Sequence, residues 1–257
     1  MSDTTSENNS NQQRPKGLEA LKRHCIANKI DVALWAIRML TIICAIFYVI
    51  PIFGNANNTY NKVLLANAAT SALRLHQRLP RVSLTKEFLA ELFAEDSCHY
   101  LLYSLIFLYV SPATLVLLPV VLFATLHSAS YSLTLLDTLG QNSWWGARIL
   151  ISLIELQSRN ILRLISFTEI ILMPFTVFLI LMGRAGLLTP FIYYHFLVQR
   201  YLSRRNPYTR NMFRELRLQI ENLAQKPNLP LIIRKALYSM ITITTKLAPV
   251  QAQAAAQ

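Results

Sequence analysis

YLLYSLIFLYVSPATLVLLPVVLFATL, residues 100–126, contains no charged side chain and is broken once, at Ser111-Pro112. Twenty-odd apolar residues are what one helix needs to cross the roughly 30 Å hydrocarbon core of a bilayer. Serine before proline, however, is how a new helix starts, with serine as the N-cap and proline at the first helical position. The halves are then about 18 and 22 Å long. One arrangement is a single kinked helix that spans with tilt. The other, which we favour on this reading, is a hairpin that enters and leaves on one side and occupies more of one leaflet than the other.

The residues just ahead are Glu95, Asp96, Ser97, Cys98 and His99. They include every residue type a hydrolase uses. Side chains adjacent in one helical turn point in different directions, whereas a catalytic triad is assembled across a fold. No HExxH or GxSxG stands elsewhere in the chain. Asp96 and Ser97 are instead expected to accept from free N–H groups at a helix start, and Tyr100 and Tyr103 to anchor that helix at headgroup level.

Two more blocks resemble 100–126. They are VALWAIRMLTIICAIFYVIPIF (32–53) and ILRLISFTEIILMPFTVFLILM (161–182), with a shorter aromatic stretch, GLLTPFIYYHFLVQRYL, at 186–202. The chain has 257 residues, 53% hydrophobic and 15% charged, and its mean hydropathy is positive. The apolar material comes in blocks, so the expected fold class is all-α: a polytopic helical membrane protein with a re-entrant hairpin and amphipathic surface helices. Six scattered glycines build no phosphate or dinucleotide loop. Cys25, Cys44 and Cys98 suggest neither a disulfide framework nor a zinc site. No cofactor and no metal is expected.

Between the blocks the chain is amphipathic. In 61–81, Asn67, Ser71, Arg74, Arg78 and Arg81 make a polar stripe opposite Leu65, Ala68, Ala72, Leu75 and Leu79, with Pro80 as terminator. Glu87, Glu91 and Glu95 follow on one side of a second short helix; either this acidic stripe packs on the basic one as a helical hairpin, or both stripes are simply solvated. Residues 147–182 read as one long helix preceded by Trp144 and Trp145. Arg38 and Glu169 are ionisable groups deep in two different blocks. Such groups are costly in lipid and usually face protein or water, so Arg38 either snorkels or pairs with Glu169.

The C-terminal part is basic. From Arg184 onward, eleven Lys and Arg stand against Glu215 and Glu221, within a net charge of +12. Basic residues beside spans mark the cytosolic side and attract anionic lipid, which favours a membrane surface over nucleic acid as partner. Two tandem amphipathic helices are expected there. The first, 207–225, places Phe213, Leu216, Ile220 and Leu223 opposite Arg210, Arg214, Arg217 and Glu221. The second, 229–247, places Ile233, Leu237, Met240 and Leu247 opposite Arg234, Lys235 and Lys246. Either they lie in the headgroup plane or they pack on the protein itself. The resulting division is a polar arm at 1–17, a helical membrane domain at 18–206, the basic helix pair at 207–247 and a low-complexity tail at 248–257. No apolar, cleavable leader precedes 32–53, so that block is expected to act as the targeting signal.

Charge does not settle the topology. The N-terminal segment is basic, but so is the 54–99 loop, with Lys62, Arg74, Arg78, Arg81 and Lys86. Asn57-Asn58-Thr59 is a glycosylation sequon in the same loop.

Three stretches go beyond generic membrane patterning: LLANAATSALRLHQRLP (64–80), EDSCHYLLYSLIF (95–107) and PFIYYHFLVQRYLSRRNPY (190–208). They resemble the transmembrane protein 33 family, and the resemblance runs from about Asn28 to Pro249. It implies a non-enzymatic protein of the endoplasmic reticulum and nuclear envelope. It also implies links to reticulons, to tubule and sheet organisation and to nuclear pore distribution, with membrane binding by the C-terminal helices. The competing readings are a small transporter or channel that uses Arg38 and Glu169, and a lipid-modifying enzyme.

Overall fold

The computed structural model describes residues 16–50, 55–79, 85–141 and 143–249. Among them every regular element is an α-helix. The polar arm up to residue 15, Pro80, Arg81 and the tail from residue 250 lie outside the described residues.

A short α1 (Leu18–Ala27) leads into α2 (Lys29–Val49), whose 21 residues rise about 31 Å. Next comes α3 (Ala56–Arg78), started by Asn55, whose side chain accepts from the Asn57 N–H at 2.9 Å. It runs back along α2. The Tyr48 and Tyr60 rings meet 5.8 Å apart at one end, and Gln77 donates to Asp31 at the other. Of the basic residues of the 54–99 loop, Arg74 and Arg78 thus return to the end of the bundle where α2 began, while Lys62 stays toward the other end.

Thr85 caps α4 (Lys86–Ala94), accepting from the Phe88 N–H at 3.2 Å. Glu87 and Glu91 of this helix are exposed; Glu95, just after it, turns inward. The apolar stretch 100–126 forms two helices, α5 (Asp96–Leu108) and α6 (Thr114–Leu139), folded as an antiparallel hairpin. The Tyr103 hydroxyl donates across it to the Val116 carbonyl at 2.6 Å. Two expectations are corrected here. Ala113 and not Ser111 occupies the N-cap, and Ser111 and Pro112 instead bind the 184 segment through their backbone N–H and carbonyl. The arms are also unequal, with 13 and 26 residues, or about 20 and 39 Å, so the second arm is long enough to cross a bilayer. Gly140, in the left-handed region at φ 82°, ends α6; its N–H and that of Gln141 return to the last-turn carbonyls.

The expected long helix 147–182 is two helices. α7 (Trp145–Glu155) and α8 (Ser158–Leu181) part at Leu156-Gln157. The amphipathic half lies on α6 with Trp144, Trp145 and Ile149 exposed, while the apolar half turns into the bundle. Finally α9 (Leu188–Leu202) runs back beside α8 and α5, and α10 (Tyr208–Ala224) and α11 (Leu231–Leu247) complete the chain.

Six helices, α2, α3, α5, α6, α8 and α9, thus alternate in direction. Short connections gather at one end; α1, α4, α10 and the ionic groups lie at or beyond the other. The connection end holds the apolar core, where Tyr60, Tyr103, Phe107, Tyr193 and Phe196 are buried among Val63, Leu64, Val116 and Leu172. Their rings meet at tilted or edge-on angles, with Tyr103–Phe107 at 4.8 Å and Phe107–Tyr193 at 5.5 Å.

The outside is apolar too. Leu40, Ile43, Ile46 and Phe47 on α2, and Phe167, Ile171, Val177 and Phe178 on α8, are exposed. Water-soluble monomers rarely expose so many large apolar side chains together. Three helices, α2, α6 and α8, are long and apolar enough to cross a membrane. α3 buries Tyr60, Val63 and Leu64, but further along the two stripes are partly reversed, which agrees with a lipid surround. Ser71 of its polar stripe is buried and Leu65 of its apolar stripe is 56% exposed. In a soluble bundle the stripes would face the other way.

Candidate functional site

At the charged end, five helices contribute to one ionic network. Glu169, on α8, is fully buried. Its Oε1 accepts from the Tyr100 hydroxyl at 2.5 Å and from Arg200 Nε at 3.0 Å, and its Oε2 accepts from the Thr209 hydroxyl at 3.0 Å. Arg200, on α9, is equally buried. It also donates to Asp96 at 2.9 Å and lies over the Tyr100 ring, 5.4 Å from its centroid. Asp96 takes a further bond from the Ser203 hydroxyl. Next to it Glu95 joins Arg78 of α3 to Arg205 beyond α9. A buried carboxylate persists in charged form only when it is paired and bonded in this way.

The acids of the EDSCH stretch therefore bind arginines rather than cap α5, which has no side-chain cap bond. His99 is buried with Nε2 2.7 Å from the Phe93 carbonyl oxygen. The pair Arg38–Glu169 is also corrected. Arg200 takes the place that the sequence reading gave to Arg38, because α9 and not α2 packs beside the middle of α8. Arg38 is buried in α2 and makes no hydrogen bond or ion pair to any described group. No group of three or more His, Cys, Asp and Glu side chains converges among the described residues.

The two C-terminal helices differ in what they face. In α10, Thr209 and Met212 are buried and Phe213 packs on Tyr201 at 5.7 Å. Leu216 and Ile220 are half-buried and Leu223 is exposed, as are Arg210, Arg214 and Arg217. Glu215 pairs with Arg163 of α8 at 2.7 Å. This helix is docked. By contrast, α11 buries none of its residues. Leu237 and Arg234 are half-buried, and Arg234 reaches back to the Lys226 carbonyl. Ile232 (82% exposed), Ile233, Met240, Ile243 and Leu247 face outward in one stripe, with Lys235 and Lys246 at its margin. At its far end the Leu247 carbonyl accepts from the Tyr194 hydroxyl at 2.8 Å.

A profile of the Transmembrane protein 33/Nucleoporin POM33 family matches residues 13–250. The chain belongs to this family. Krueppel homolog 2 of Drosophila melanogaster is 54% identical over 92% of the chain and 85% of its own length. Transmembrane protein 33 of Rattus norvegicus is 47% identical over 91% of the chain and 96% of its own length. The human protein of that name is 46% identical over the same shares. No solved structure matches.

The match to the transmembrane protein 33/POM33 family covers all eleven helices of the described residues, so the ionic network and the C-terminal pair both lie inside the family region. Of the residues singled out from sequence, the bundle joins Glu169 to Asp96 through Arg200 and leaves Arg38 apart. Sequence reasoning missed Arg200, Tyr100 and Thr209 as partners of Glu169, and Ile232 and Ile243 on α11. The first three are set by which helices touch. The last two were legible, because they share the helical face of Met240.

Proposed function

We propose that this member of the family organises the membranes of the endoplasmic reticulum and nuclear envelope without catalysing a reaction. On this reading the bundle is the anchor, the end carrying α10 and α11 faces the cytosol, and α11 is the element that engages a bilayer surface. One observation carries the proposal: α11 presents a continuous apolar stripe outward, bordered by lysines, while its neighbour α10 is docked on the protein. Burying an Ile, Leu or Met side chain in the acyl boundary contributes about 1.5–3 kcal/mol when complete, and each lysine near an anionic surface about 1 kcal/mol. Such a helix, held at a fixed place beside the bundle, favours a surface whose headgroups are spread apart. That supports a role in reticulon-linked tubule organisation. The POM33 part of the family description supports a further role at nuclear pores.

The test is made in the full-length chain, with Ile232→Ser, Met240→Ser and Ile243→Ser combined. The variant is expected to insert normally but to fail to restore tubule-to-sheet balance and pore spacing in cells lacking the wild type. Full restoration by the triple variant would sink the proposal. A transporter reading built on Arg38 and Glu169 has lost its central pair, since Glu169 is bound to Arg200.

A further inference from the structure

Between α2, α3, α5 and α6, at the charged end of the bundle, lies a chamber of about 250 Å³. At about 30 Å³ of liquid volume per water it has room for roughly eight waters. Five arginines line it. Three of them are matched: Arg78 and Arg205 share Glu95, and Arg200 is held by Glu169 and Asp96. Arg38 and Arg74 are not. Neither makes an ion pair or hydrogen bond with any described group, although Arg38 is only 7% exposed and the two lie within electrostatic reach of each other. Asp31, the acid that acts on both, has Gln77 as its side-chain partner.

Two guanidinium groups of like charge turned into one half-open cavity are unfavourable unless an anion joins them. One carboxylate, Asp96, also borders the cavity and is taken up by Arg200 and Ser203; other lining groups suit such an anion. Ser71 is buried one helical turn from Arg74 on the same face of α3, and its hydroxyl donates to no described group. His127 of α6 also faces the chamber. Planar guanidinium forks match phosphate oxygens two at a time.

We propose that this chamber binds a phosphoryl group, clamped between Arg38 and Arg74 with Ser71 as a hydroxyl donor. The chamber is smaller than the roughly 300–1,000 Å³ of a typical small-molecule pocket, so it takes a phosphate or a headgroup and not a whole lipid. The chemistry is shared by the phosphate of an anionic phospholipid and by a free phosphate, and the experiment separates them.

Full-length protein is purified in detergent, stripped of lipid, and its thermal unfolding is followed with added sodium phosphate and with chloride at equal ionic strength. The same protein is placed in nanodiscs of phosphatidylcholine alone or with phosphatidic acid. Recognition of the phosphoryl group is expected to raise Tm by about 5 °C at a hundredfold excess over Kd. A rise with phosphate identifies a soluble ligand; a rise confined to phosphatidic acid identifies the lipid. Arg38→Met and Arg74→Met are expected to abolish the rise and to leave the ligand-free Tm unchanged or higher, because each removes an unpartnered charge. A lower ligand-free Tm in both variants would mark the arginines as structural and overturn the proposal. So would the absence of any rise in the wild type, or a rise that both variants keep.

Discussion

Arg200 is the largest side chain among the described residues with no exposure, and one of its nitrogens, Nη2, has no described partner. Its other groups are divided between Glu169 and Asp96, on α8 and α5. Removing one member of a buried pair leaves an uncompensated charge, which costs about 3–5 kcal/mol, whereas replacing both by apolar groups is often neutral. Arg200→Leu is therefore expected to lower the thermal stability of the detergent-solubilised protein sharply. Arg200→Leu with Glu169→Leu is expected to recover much of the loss. Equal losses in single and double variants would show that Asp96, Tyr100 and Thr209 carry the network without the pair. Tyr100→Phe removes only the short bond to Glu169 and is expected to cost about 1.5–3 kcal/mol, the range for a hydrogen bond to a charged group.

At the scale of elements, α6 depends on its stop signal. Gly140 closes the helix in a conformation that costs other residues roughly 1–2 kcal/mol. Gly140→Val is expected to destabilise the chain by about that much and to loosen α1, since the Gly17 N–H donates to the Thr138 carbonyl two residues earlier. Hydrogen exchange across residues 17–27 and 132–141 would register the loosening, and unchanged protection there would count against it. The element boundaries show what a sequence exposes and what it hides. Apolar runs located α2 and α8 and the first half of α6, whose second half past residue 126 they missed, and periodicity located α10 and α11 to within two residues. The gap between α7 and α8 was hidden, because Leu156-Gln157 carries no proline or glycine to mark it. Two helices with different packing partners simply need not be collinear. The expected N-cap at Ser111 failed for the opposite reason: the signal was present, but the Arg184 segment took up the backbone groups of Ser111 and Pro112.

Taken as a whole molecule, the alternation of six helices predicts sidedness. Gly186, in the connection between α8 and α9, has open space around it, and Lys226 is exposed between α10 and α11. Gly186→Cys and Lys226→Cys are expected to react with a membrane-impermeant thiol reagent from opposite faces of sealed microsomes. Labelling from the same face would mean that the α8–α9 pair dips in and returns without crossing. The sequon at Asn57 is held in the first turn of α3, where the Thr59 hydroxyl donates to the Asn55 carbonyl, and it is expected to stay unmodified on either face. The candidate site was less legible than the fold. Arg38, Glu169 and the basic stripe of α3 are visible in the sequence as misfits, but their grouping into a matched network and an unmatched arginine pair depends on which helices touch.

The inward polar stripe of α3 has a consequence for how the chain is made. An arginine opposes insertion by about 2.5–3.5 kcal/mol at a helix centre and by less toward the ends, and α3 carries Lys62, Arg74 and Arg78 toward its ends among only moderately apolar neighbours. Presented alone to the insertion machinery, it would be passed over. Its polar face becomes acceptable against α2 and α5, where Asn67 donates to Ser104, and since α2 is made first, the first two long helices are expected to go in together. A chain cut after residue 79 should then hold both ends of α3 at the membrane, whereas the same segment without α2 should be released into the aqueous phase.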